Sequence, residues 1–318
     1  MTDMYVPTFN DVETAHARIK PYIHQTPVLT SSYLNRLANA ELFFKCENLQ
    51  KVGVFKVRGA CNAVFGLDES MAAKGVTTHS SGNHASALSY AAGRRGIPAT
   101  VVMPHTAPDA KKAAVKEYGG TIIECEPNTA SREAISAEVV ARTGANFVHP
   151  YNDPRVIAGQ ATCAKELLEQ IGQLDAVVAP IGGGGMVSGS ALTLSSLAPN
   201  TKLYAAEPKN ADDAERSFRA GYIIADDAPQ TIADGLKVPL KELTWHFVSN
   251  YVEDILLATE QEIIDAMFLT WQRMKIVIEP SSAVPLATIL KNKQLFAGKR
   301  VGVILTGGNV DLNKLPWN

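Results

Sequence analysis

Four consecutive glycines, Gly182 to Gly185, follow the apolar stretch Asp175–Ile181 and lead into a helix-like segment, Met186 to Leu192. A buried strand that passes through glycines into a helix constrains fold and ligand together. Without Cβ atoms the backbone N–H groups can converge on an anion, and the following helix adds the positive end of its dipole. Phosphate is the expected anion.

The rest of the chain alternates in the same manner. Helix-period segments are expected at about 10–20, 57–67, 83–95, 109–118, 130–143, 155–171, 186–197, 259–274 and 281–292. Short β-rich runs lie between them at 99–103, 121–125, 175–181, 202–206 and 300–305. This predicts an α/β chain of two lobes, each a mostly parallel sheet flanked by helices. A length of 318 residues is sufficient for two such lobes. Ligands of such sheets bind beyond the carboxyl ends of the strands. Ser80–His84, Gly182–Gly185 and Thr306–Asn309 all fall at that edge.

Composition narrows the class. A hydrophobic fraction of 46% and a formal net charge of −2 describe a globular chain without the basic field that nucleic acid requires. No stretch approaches a membrane-spanning run, and the start Met1-Thr2-Asp3-Met4 lacks the basic and apolar regions of a leader. Cys46, Cys61, Cys125 and Cys163 are widely spaced and are expected as reduced, buried thiols of a cytoplasmic protein.

Four readings of the glycine run compete. A bare strand–helix turn would carry the conformational cost of four glycines for no purpose. A dinucleotide site gains support from Glu207, which ends the next strand about twenty residues on, where a ribose-binding acid would sit. The G-x-G-x-x-G spacing nevertheless fails in every register, and no G-x-x-x-x-G-K-[ST] exists for a nucleoside triphosphate. The fourth ligand is the phosphate of pyridoxal phosphate, which needs a lysine elsewhere. Lys56 is available, between Phe55 and Val57. Desolvation there would lower its pKa and leave a nucleophilic amine.

Phe55-Lys56-x-Arg58-Gly59-Ala60, Ser80-Ser81-Gly82-Asn83-His84-Ala85, Gly182–Gly185 and Thr306–Asp311 occur together, in that order. On this set the chain resembles the serine racemase/serine–threonine dehydratase family of pyridoxal-phosphate enzymes, which includes the 3-hydroxyaspartate ammonia-lyases. The resemblance runs from about Pro7 to Asp311. It implies a tryptophan-synthase-β-like fold, with a large cofactor domain of residues 1–74 and 153–318 and a small mobile domain of 75–152. It also implies a homodimer acting on a small amino acid.

The resemblance implies roles for individual residues as well. Lys56 would anchor the cofactor and serve as the base at Cα, with Ser81 a second acid–base group on the opposite face. Phe55 would stack on the cofactor ring, Asn83 would bond its phenolic oxygen, and Thr306 would meet its ring nitrogen. The N–H groups of Gly182, Gly183, Gly184, Gly185 and Met186 would hold the phosphate. Ser80, Ser81, Gly82, Asn83 and His84 would bind the substrate carboxylate, and Arg132 would face the substrate's distal end. Glu207, the carbonyl of Ala211 and Asp213 would hold a magnesium, calcium or manganese ion, since oxygen donors suit hard cations.

Each has a plainer alternative: Ser81 as a helix cap, His84 as a satisfied histidine, Arg132 as a solvated helix arginine, and Glu207–Asp213 as an exposed acidic helix start. The expected reaction is loss of water from a 3-hydroxy amino acid (3-hydroxyaspartate, serine or threonine), giving a 2-oxo acid and ammonia. Racemisation is the alternative within the family. A nicotinamide-dependent oxidoreductase and a non-catalytic cofactor carrier are the alternatives outside that chemistry. Ser86 stands where mammalian racemases carry a nucleotide-contacting Gln, so nucleotide activation is not expected.

Overall fold

The computed structural model describes residues 4–80, 82–225 and 229–317. Its strands are β1 (Val28–Leu29), β2 (Glu41–Cys46), β3 (Val76–His79), β4 (Ala99–Pro104), β5 (Thr121–Cys125), β6 (Asn146–Phe147), β7 (Ala176–Pro180), β8 (Lys202–Pro208), β9 (Asp254–Ala258) and β10 (Arg300–Leu305). They form a six-stranded sheet in the order β1-β2-β10-β7-β8-β9 and a four-stranded sheet in the order β5-β4-β3-β6. β1 runs antiparallel to β2; every other pairing is parallel. The four-stranded sheet is drawn wholly from residues between 76 and 147, and the other sheet from the chain on either side.

Parallel strands need both faces covered, and the burial agrees. Every residue of β7 is buried, and one apolar cluster lies on each face of the larger sheet. The helices come from the alternating segments. Pro154–Ile171 begins with Asp153 as a side-chain cap and Pro154 in its first turn. It crosses helix Lys56–Phe65 so closely that a Cβ on Gly159 would lie 2.6 Å from the Gly59 Cα. Two glycines therefore set this helix contact, which fixes the helix that starts at Lys56.

β1, β2, β3, β6 and β9 and the helices Ser32–Ala38, Glu69–Ala72, Glu242–Tyr251 and Lys293–Phe296 went unanticipated, and of Asp213–Ala220 only the acidic start was considered. β2 shows why. Its Lys45 interrupts an apolar run, yet the side chain is fully buried because its amine meets the Glu166 carboxylate at 2.7 Å. A lysine of this kind reads as strand only once its distant partner is known. Among the described residues no helix is long and apolar enough to cross a membrane, and the four cysteines are free and buried.

Candidate active site

The carboxyl ends of β3, β7 and β10 open onto one cavity of about 460 Å³, lined by all three motif loops and by Lys56. Helices Lys56–Phe65, Asn83–Arg95, Gly185–Leu197 and Pro280–Lys291 each begin at its wall. Four positive dipole ends thus converge on a space suited to an anionic ligand.

Lys56 is held by straps on both sides. Phe55 N donates to Thr306 O at 2.9 Å, and Gly308 N donates to Gly53 O at 2.9 Å. The lysine segment is thereby tied to the loop after β10. Lys56 Nζ donates to Pro150 O at 2.9 Å and lies 5.0 Å from the centre of the Phe55 ring. Burial pushes its pKa down to about 8, against the opposing pull of the Glu279 charge. The lowered basicity expected of Lys56 from its apolar neighbours is present.

The N–H groups of Gly182 through Met186 find no acceptor among the described residues, although all five residues are buried. Buried donors without partners are rare and mark a place for an anion. The glycines also serve a second purpose. A Cβ on Gly182 would lie 2.7 Å from the Leu236 Cα, and one on Gly183 would strike the Tyr151 ring at 2.5 Å. Gly184 adopts φ 84°, a left-handed conformation. The run is therefore required both by the donor array and by close packing from outside it.

Ser80, Gly82, Asn83 and His84 line the same cavity. The Asn83 amide nitrogen donates to both Glu279 oxygens at 3.0 and 3.1 Å, and its oxygen accepts from Asn309 Nδ2 at 2.9 Å. Asn309 also reaches the carbonyl of Val52, a β-branched residue held at φ 62°. Strain at Val52 is thus maintained beside the lysine loop. The His84 ring turns away to meet Val148 O at 3.3 Å, and burial holds it well below the usual histidine range. Ser81 lies outside the described residues; helix Asn83–Arg95 follows Gly82. Thr306 Oγ1 stands 3.0 Å from Ser282 Oγ, which also bonds both Gly307 backbone groups.

Glu279 escaped the sequence reading. It is buried between Asn83 and Asn309, and burial pushes its pKa up to about 7. Its only signal was an acid directly before Pro280, the first residue of a helix. Lys111 and Asp234 form an ion pair at the cavity wall that also could not be read from sequence. Arg132 and Glu133 line the wall with His79 and His149, and Arg132 Nε donates to Asn128 O at 3.3 Å.

Glu207 and Asp213 are buried, not the solvated helix start that a run of acids suggests. The Glu207 carboxylate accepts the N–H groups of Ala214 at 3.0 Å and Glu215 at 2.9 Å. That arrangement removes the acid a nicotinamide dinucleotide would need for its ribose. Ala211 is also buried, which brings a carbonyl into the same segment. Among the described residues no three His, Cys, Asp or Glu side chains group as metal ligands.

A lysine of lowered basicity, an unfilled array of backbone donors and an aromatic residue beside the lysine share one cavity. These residues fit pyridoxal phosphate. Comparison with known proteins agrees. The model of the family described as pyridoxal-phosphate dependent enzyme matches residues 19–307. The chain is 71% identical to a beta-hydroxyaspartate dehydratase of Paracoccus denitrificans (strain Pd 1222), over 99% of this chain and 100% of that protein. It is 51% identical to a serine racemase of Arabidopsis thaliana, over 99% of this chain and 97% of that one. Its fold matches maize serine racemase with a TM-score of 0.96 at 44% identity, covering 97% of this chain and 95% of the other.

Proposed function

The chain belongs to the pyridoxal-phosphate dependent enzyme family, and from that premise we propose that it removes water and then ammonia from 3-hydroxyaspartate to give a 2-oxo acid. The 71% identity to a beta-hydroxyaspartate dehydratase across the whole chain carries this choice of substrate. The cationic groups Arg132 and Lys241 on the cavity wall suit a second carboxylate.

Pyridoxal phosphate, when bound, supplies an electron sink for the pair released at Cα. Lys56 would anchor it, and its Nζ would hold the proton taken from Cα. Gly182 to Met186 would hold its phosphate with their backbone N–H groups. Phe55, Asn83 and Thr306 would hold its ring. Ser80, Gly82 and Asn83, at a helix N-terminus, hold the substrate α-carboxylate, and Ser81 is proposed to join them. His84 contributes through its backbone, its ring being engaged with Val148 O. Hydroxide leaves Cβ with a proton as water; the dehydrated amino acid tautomerises, and water then releases ammonia.

Racemisation is the second reading, favoured by the 51% identity to a serine racemase; Ser81 is its proposed second acid–base group. Glu207, the Ala211 carbonyl and Asp213 are proposed to hold magnesium or a similar hard cation, because their donors are all oxygen. Residues 75–152 are proposed as a small domain closing over the site, in a cytoplasmic homodimer.

The test is a 2-oxo acid assay on 3-hydroxyaspartate, serine and threonine, with Arg132→Ala in parallel. We expect 3-hydroxyaspartate to be the best substrate. The variant should lose ~2 kcal/mol of kcat/KM discrimination on it, about one charge-assisted hydrogen bond. Serine turnover above that of 3-hydroxyaspartate, with Arg132→Ala lowering both alike, would make the chain a serine dehydratase or racemase.

A further inference from the structure

The residues that follow β6 bring His149 to the cavity wall in an unusual state. Its Nδ1 accepts two backbone N–H groups, from Asn152 at 2.9 Å and Tyr151 at 3.3 Å. A backbone N–H can only donate, so Nδ1 carries no proton and the neutral ring carries it on Nε2. The turn itself therefore selects the tautomer. The ring is clamped as well, edge-on to Tyr151 at 4.6 Å between centroids and to His79 at 6.0 Å. Among the described residues no acceptor meets Nε2, although the side chain lines the cavity. A ring of fixed tautomer, with its donor at Nε2, thus forms part of the cavity wall.

Its surroundings identify what it donates to. The next residue's carbonyl, Pro150 O, takes the Lys56 amine, so His149 stands beside the reacting centre. His79, Lys241 and Arg132 line the same cavity, His79 in ring contact with His149. Burial and the charges of His79, Lys241 and Lys56 push its pKa down to about 3. The ring stays neutral within a positive field. A neutral hydroxyl gains little from such a field, whereas a carboxylate gains both the field and the directed hydrogen bond.

We propose that His149 is a specificity-determining residue: its Nε2–H donates to the distal carboxylate of the substrate, alongside Arg132, and selects dicarboxylic over monocarboxylic 3-hydroxy amino acids. This rests on the reading of the site as that of a 3-hydroxyaspartate ammonia-lyase.

Two variants separate the cap from the donor. Asparagine can still accept from the Asn152 N–H but places no donor at Nε2. Glutamine can place an amide N–H there but abandons the cap. We expect His149→Asn to keep its melting temperature while losing ~10- to 100-fold in kcat/KM on 3-hydroxyaspartate, mostly through KM, with little change on threonine. His149→Gln should recover part of that loss despite a lower melting temperature. An unaffected His149→Asn, or equal losses on both substrates, would overturn the proposal; equal losses would move the contact to the hydroxyl that both substrates share.

Succinate and propionate as competitive inhibitors separate this failure from failure of the functional reading. A wild-type enzyme preferring threonine sinks that reading, yet His149→Asn should still weaken succinate and spare propionate if the donor assignment holds. Nitrogen-15 NMR of the wild-type ring gives an independent measurement should His149→Asn fold poorly. It should show the Nε2–H tautomer, with its resonance shifting on succinate addition; an Nδ1–H tautomer or no shift would also overturn the proposal.

Discussion

Lys56 and Arg58 lie two residues apart on one helix and manage positive charge in opposite ways. The Arg58 guanidinium is fully buried, and its five N–H groups make five hydrogen bonds of 2.7–3.0 Å, to Glu47, Glu166 and Thr162. Lys45 completes the cluster through Glu166. Lys56 makes one hydrogen bond, to a neutral carbonyl. Arg58 is accordingly held well above its ordinary pKa range and Lys56 is held below its own. Full satisfaction makes a charge inert and rigid, whereas partial satisfaction leaves an amine ready to exchange partners. The inert cluster fixes the helix from which the Lys56 amine projects.

The largest expected effect is at the reactive end. Lys56→Ala should abolish turnover and the visible absorbance of the bound cofactor; an unchanged spectrum would assign the anchor to another lysine and dissolve the comparison. At the inert end, Arg58→Met should strand Glu47 and Glu166 with only Lys45 between them. Urea unfolding should show a loss of ~3–5 kcal/mol, the usual cost of removing one partner from a buried ion pair. A loss below ~1 kcal/mol, typical of surface pairs, would mean the cluster does not anchor the helix.

A subtler contrast is read in cofactor-free protein as a function of pH. The folded pKa of Lys56, about 8, lies below the ordinary lysine value of 10.5. Between those values the unfolded chain holds more protons, so this residue's contribution to stability rises with pH through that window. Below it, the penalty for the buried ammonium is fully present. Lys56→Met should then be more stable than wild type at pH 7 by ~2 kcal/mol, discounted because the amine opens onto a cavity. The gap should close by about pH 10.5; a constant gap would mean the charge is not strained.

Glu207 is the intermediate case, a buried carboxylate that accepts two helix N–H groups. Exhaustive chelation should lower stability by about 1.4 kcal/mol relative to protein with free magnesium tenfold above its dissociation constant. No change in melting temperature would leave Glu207 satisfied by the helix alone, as Arg58 is by its acids.

Much of the site was legible because its chemistry is local. An apolar stretch entering Gly182–Gly185, and Lys56 flanked by Phe55 and Val57, carry their meaning within a few residues. The parallel strands β4, β7, β8 and β10 were legible too, since burial on both faces leaves continuous apolar runs; β5, of which only Cys125 is buried, was legible from its β-branched residues Thr121, Ile122 and Ile123. Glu279 was not legible, because its significance depends on Asn83 and Asn309, which are distant in sequence. Lys45 in β2 concealed a strand for the same reason.

The sequence by itself determined the α/β class and the family and pointed to Lys56 as the proposed anchor, because periodicity and short motifs depend on neighbours along the chain. Only the tertiary structure decided which proton each group holds. The turn after His149 selects its tautomer, burial raises Glu279 and lowers Lys56, and the acids around Arg58 quench its charge. Protonation depends on the field and desolvation at a point in space, and residues far apart in sequence meet there only after folding.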